Sequence, residues 1–220
     1  MSGIWYLVGK ATMETLAMVF FSTFFSLLLG LPLGILLSIT ASEEQGGLIH
    51  KPILNSVLGR IVNVLRSFPF IILIIVLFPL SRIIIGTSIG TSATIVPLSI
   101  AAAPFVARII ETSLKEVDPG VVQAARAMGS TNAQIIWKVL IPEAMPSLVS
   151  GVTLTIINLI GYSAMAGAIG GGGLGDLAIR YGYQRFRGDV LFVSVVVILV
   201  LVEIIQVIGN RISSRLIARR

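Results

Sequence analysis

The stretch Gln123–Pro142, QAARAMGSTNAQIIWKVLIP, is too polar to remain in lipid, yet it lies between two long segments too apolar for water. Within it, Val121, Val122, Ala124, Ala125 and Met128 repeat at helical spacing, and Gly129 then supplies a residue that tolerates positive φ, where a helix stops. Ser130 or Thr131 can cap a second short helix, whose apolar stripe is Ile135, Ile136, Val139 and Leu140 and which Pro142 is expected to end. Two short helices joined at a glycine elbow would rest an apolar face on a membrane bundle and offer the opposite face to a soluble partner. An amphipathic helix lying in the interface with no partner would show the same stripe.

The rest of the chain supplies the bundle. Of its 220 residues, 55% are hydrophobic and 12% charged, and the mean hydropathy is +0.99, far from the usage of a soluble domain. Apolar runs predict five spans, at about Thr12–Ile39, Ile61–Leu80, Thr91–Ile110, Leu148–Ile169 and Val190–Gly209. Prolines 69, 97 and 104 fall inside spans, where neighbouring helices or water must re-satisfy freed carbonyls, and Gly30, Pro32 and Gly34 predict a kink or a close helix contact in the first. The N-terminus has no basic region before its apolar core, so the first run is expected to be retained. Cysteine is absent, which removes disulfides, thiolate metal sites and Cys nucleophiles.

An odd number of spans puts the termini on opposite sides. Of the 16 basic residues, Lys10, Arg82, Arg180, Arg185 and Arg187 fall on one side, and the other eleven fall on the side of Gln123–Pro142 and the C-terminus. The positive-inside rule therefore predicts a cytoplasmic C-terminus and working loop and an N-terminus outside. The net charge of +6 reports this topology; no arginine cluster interleaved with aromatics marks a nucleic-acid surface. The cluster Arg180–Arg187 opposes the rule and suits an extracytoplasmic partner.

Other strings carry less. Gly86–Gly90 matches G-x-S-x-G, but the only histidine, His50, falls on the opposite side of the bilayer from Ser88, so the segment reads as a turn. Gly170–Gly175 satisfies G-x-G-x-x-G without a preceding strand, which leaves either a closely packed or flexible segment or a plain loop. No P-loop, H-E-x-x-H or paired carboxylates occur, so no catalytic or metal site is expected and any ATP chemistry must lie in another subunit. In the fourth span, Thr155, Asn158 and Tyr162 share a helix face, with Met165 as a constriction side chain; pore lining and interhelical hydrogen bonding are equal readings of that face. Glu203 in the fifth span is a functional acid or one that snorkels toward nearby arginines.

The working loop resembles the signature of ABC importer permeases, E-A-A-x(3)-G-x(9)-I-x-L-P. Here it runs Gln123-Ala124-Ala125, Gly129, Val139, Ile141, Pro142 at the matching offsets. Gln123 replaces the glutamate and carries no charge to pair with an ATPase. Further strings, LRSFPFIILI (65–74), IIIGTSIG (83–90), IVPLSIAAAPFVARIIE (95–111) and GYSAMAGAIGGGGLG (161–175), look like the membrane subunits of the bacterial methionine importer branch, over nearly all of residues 12–212. The resemblance implies an all-α type I importer permease fold, one domain over residues 1–220, with five spans and a cytoplasmic coupling helix in a loop at about 118–142. It assigns ATPase coupling to Gln123, Ala124, Ala125, Arg126, Gly129 and Pro142. It implies a homodimer in the bacterial cytoplasmic membrane, two cytoplasmic ATPase subunits that bind ATP and magnesium, and an extracytoplasmic substrate-binding protein. The chain itself would hold no cofactor and no high-affinity pocket. It would move methionine by alternating access, with another amino acid or a small peptide as the alternative cargo. Readings from other classes are an intramembrane enzyme and a passive channel or scaffold.

Overall fold

The computed structural model describes residues 2–42, 47–49 and 51–218, and these form helices joined by short turns. His50, and with it the question of a base for Ser88, lies outside the described residues, as do Glu43, Glu44, Arg219 and Arg220. Four helical stretches, Ile4–Ile39, Thr91–Lys115, Asn132–Gly167 and Gly188–Ile217, are each long and apolar enough to cross a bilayer, and a bent pair supplies a fifth span.

That bent pair corrects the expected single span at Ile61–Leu80. Helix α2 (Pro52–Ser67) and helix α3 (Phe70–Ile85) meet at 103°. The cause is local: Pro69 has no N–H to donate and drives Phe68 into an extended conformation (φ −71°, ψ 130°), after which the Pro69 carbonyl accepts from Ile72 and Leu73 to start α3. Helix α2 is amphipathic and α3 is apolar but for Ser81 and Arg82 toward its end, so only the second half of the pair has the composition of a lipid-facing element.

Helix α1 (Ser2–Ile39) and helix α4 (Thr91–Lys115) form the most extensive pair. Gly30 and Gly34 permit this approach: a Cβ on Gly30 would lie 2.6 Å from Val106 Cγ1, and one on Gly34 would lie 2.6 Å from the Ala107 carbonyl oxygen. Along its length α4 buries Ala93, Ala102, Ala103 and Ala107, small residues suited to close helix contacts in membranes. Pro97 and Pro104 sit inside α4 without ending it. Helix α7 (Ile141–Gly167) completes a core with Met18, Val19, Leu98, Ala102, Leu159 and Ile160, while helix α9 (Gly188–Ile217) packs on α7 and turns Phe192, Leu199, Val200 and Ile204 outward.

The glycine-rich segment is closely packed. Helix α8 (Gly173–Asp176) runs directly into a π-helical turn, Leu177–Tyr183. Its first free N–H groups are capped from α1, 159 residues away in sequence: Gly173 N–H donates to Glu14 Oε2 and Leu174 N–H to Thr15 Oγ1, both at 2.9 Å. A Cβ on Gly175 would lie 2.3 Å from the Ala164 carbonyl oxygen, so glycine here serves approach. At the same end of the bundle Gly86 and Gly90 adopt positive φ, and Gly90 N–H donates to the Gly170 carbonyl, so the Gly86–Gly90 string is a turn between α3 and α4.

Candidate functional site: an exposed helical elbow and neighbouring clefts

Helix α5 (Pro119–Ala127) begins with Asp118, whose side chain accepts from Gly120 N–H at 2.7 Å, and with Pro119 in its first turn. Val122 and Ala125 are buried against Ile110, Leu114, Ile135 and Leu140, which presses the helix onto the bundle. The opposite face, Gln123, Ala124, Arg126 and Met128, is exposed, Met128 by 79%. Gly129 at φ 79° reverses the chain, with its own N–H donating to the Arg126 carbonyl and that of Ser130 to the Ala125 carbonyl. Thr131 then caps the next helix through a reciprocal pair: its Oγ1 accepts from Gln134 N–H, and Gln134 Oε1 accepts from Thr131 N–H.

From that cap the chain departs from the expected second short helix. Helix α6 (Asn132–Ile135) continues through a π turn, Ile136–Leu140, into α7, one unbroken run to Gly167. Pro142 does not end it. In the widened turn Ile141 N–H reaches back to the Ile136 carbonyl, and Pro142 follows in the first turn of α7, where an absent donor is tolerated. The elbow at Gly129 therefore leads into one continuous helical run, Asn132–Gly167, long enough to cross the bundle. Trp137, 62% exposed on this run, enlarges the apolar part of the face beyond Met128; the sequence reading placed no role on it.

Polar contacts fix this end of the molecule. Arg126 Nη2 donates to the carbonyls of Gly47 and Leu48, tying α5 to the segment between α1 and α2. Glu111, buried, pairs with Arg108 Nη1 at 2.6 Å and with Lys115 Nζ at 2.9 Å, and Arg108 Nη2 donates to Asn63 Oδ1 of α2 at 2.6 Å. The sequence reading passed over this cluster, although its spacing of three and four along a helix signals the pairing.

From the start of α5 inward, three clefts adjoin one another. The first, about 490 Å³, is lined by Asp118, Glu143 and Ser213 and shares Ser113, Glu116, Ser147 and Ser150 with the second. The second, about 250 Å³, adds Arg66, Phe105, Arg108 and Thr112. The third, about 230 Å³, shares Arg66 and Phe105 and ends at Phe70 and Tyr162, whose rings stack with centroids 4.2 Å apart and planes 9° apart. Of the fourth-span residues singled out by sequence, Tyr162 alone lines these clefts. Thr155 is buried and bonded to the Gly151 carbonyl within its own helix, while Asn158 and Met165 are exposed outside the three clefts. Glu203 is exposed on α9. Among the described residues no group of histidines and acids has the arrangement of a metal site.

Residues 30–219 match the family described as "Binding-protein-dependent transport system inner membrane component". The chain is 50% identical over 209 residues to the "Probable D-methionine transport system permease protein MetI" of Vibrio cholerae, covering 95% of this chain and 92% of that one. It is 51% identical over 205 residues to the "Methionine import system permease protein MetP" of Bacillus subtilis, covering 93% and 91%. Its fold matches a chain of the inward facing MetNI methionine ABC transporter with a TM-score of 0.95 and 45% identity, over 98% of this chain and 99% of that one. The chain thus belongs to the family of inner membrane components of binding-protein-dependent transport systems, a transport subunit with the all-α fold of an ABC importer permease.

Proposed function

We propose that this chain is the membrane permease of an ATP-driven methionine importer. The observation that carries the reading is the near-complete overlay, at 45% identity, on a methionine ABC transporter. In this reading two copies form the translocation unit and two ATPase subunits, holding ATP and magnesium, dock on the exposed faces of Gln123, Ala124 and Arg126. An extracytoplasmic binding protein delivers the amino acid. The elbow at Gly129 and the rod from Asn132 to Gly167 support the coupling role: a push on α5 is delivered through Val122 and Ala125 to a helix that spans the bundle. The C-terminus and α5 face the cytoplasm and the N-terminus lies outside, in keeping with the distribution of basic residues. The path runs along the three clefts, with Tyr162 at their inner end; Thr155, Asn158 and Met165 then serve packing or the dimer face rather than this path.

The test is uptake of labelled methionine into proteoliposomes holding the permease and its ATPase, with ATP inside and binding protein outside. ATP-dependent accumulation that unlabelled methionine competes away is the expected result. Accumulation indifferent to methionine would retain the importer and replace the cargo by another amino acid or a small peptide; flux without ATP would remove the importer reading.

A further inference from the structure

Arg66 is a cation without a counter-ion. Among the described residues it makes no ion pair; its guanidinium lies over the face of Phe105, 5.9 Å from the ring centroid. It is exposed and lines the third cleft, so its charge is open to an anion that enters there. The bend at Phe68–Pro69 holds it there: it ends α2 one residue after Arg66 and starts α3 with Phe70, so a guanidinium and an aromatic ring project into the same cleft. Opposite stand Phe105 of α4 and the Tyr162 ring stacked on Phe70.

We propose that the third cleft is a way-station for the free amino acid, with Arg66 receiving the substrate α-carboxylate and the Phe70, Tyr162 and Phe105 rings receiving its apolar side chain. The proposal rests on the methionine reading above. A planar guanidinium matches a carboxylate with two parallel hydrogen bonds, and a thioether packs favourably against ring edges. The volume, about 230 Å³, is below that of pockets for drug-sized ligands and suits one amino acid. A single charge in an open cleft binds weakly, as a site on a conduction route must if its occupant is to leave. The second cleft continues from Arg66 past Thr112 to Ser147 and Ser150, a polar exit toward the α5 end.

Because the chain lacks cysteine, one introduced thiol reports on the cleft. Ala101 lines the same cavity, so Ala101→Cys is placed in the permease–ATPase complex without nucleotide and its rate of alkylation is measured. Methionine should slow the reaction, methioninamide should not, and adding Arg66→Met should weaken the protection about ten- to hundredfold, the range of a charge-assisted pair. Arg66→Lys, which keeps the charge and loses the fork, should be intermediate; it carries the test if Arg66→Met fails to assemble. Leu65→Cys is the second reporter position. Equal protection by acid and amide, protection that survives Arg66→Met, or failure of both thiols to react would overturn the proposal. Loss of methionine uptake by the unaltered complex would instead remove the reading it rests on, so the two failures are separable.

Discussion

At Gly129 the backbone takes φ 79°, and a Cβ built there would meet nothing within 4 Å. The position is thus limited by conformation alone, with no steric neighbour. A β-branched residue in the left-handed region costs about 1–2 kcal/mol, a factor of about five to thirty in the population of the native elbow. Gly129→Val is therefore expected to leave insertion intact and to reduce ATPase co-purification and methionine uptake together, while Gly129→Asn retains most of both. Uptake and co-purification unchanged in the valine variant would mean that the elbow does not couple. This residue was legible from its place between two apolar stripes. Arg126 was legible only as part of a motif; its hydrogen bonds to Gly47 and Leu48 depend on which loop the fold brings under α5, and no local spacing encodes that. In the sequence Arg66 is one basic residue among sixteen, because its significance lies in the missing partner, a property of three-dimensional surroundings.

Between elements, the contact of α1 with α4 sets the tolerance of the bundle. A side chain at Gly30 would run into Val106 and into the Ala103 carbonyl oxygen, 2.8 Å from its Cβ, whereas one at Gly9 of the same helix would meet nothing. Gly30→Leu is expected to lower the thermal unfolding midpoint in detergent, with overpacking worth about 1–3 kcal/mol. Gly9→Leu should be neutral or raise the midpoint, since leucine is the better helix former. Equal midpoints for the two variants would refute the close contact. The glycines of α1 were visible in sequence as a kink or contact, and the structure selects the contact. The break at Pro69 was harder: a run of apolar residues on either side reads as one span, and only the effect of proline on Phe68 divides it. Pro142 misled in the opposite direction, because a π turn can absorb the missing donor and a helix then passes through a residue that ordinarily stops it.

Across the whole molecule, the distribution of charge predicts which end faces the cell interior. Placed singly in the cysteine-free chain, Ala218→Cys should react with a membrane-impermeant thiol reagent only after cells are opened, and Thr87→Cys should react in intact cells; the reverse pattern would invert the proposed orientation. The apolar segments and the exposed α5 face could be read from apolar runs and one polar interruption, since each is a statement about neighbouring residues, whereas the number of helices could not. The clefts could not be read, since they arise where helices distant in sequence, from α2 to α9, leave space between them. The capping of Gly173 and Leu174 by Glu14 and Thr15 has a consequence in time. A ribosome adding about 5–20 residues per second makes the first helix roughly 8–32 seconds before the segment it caps. Throughout that interval Glu14 lacks its native backbone partner, so a helix made well before α8 is completed only when α8 has followed it.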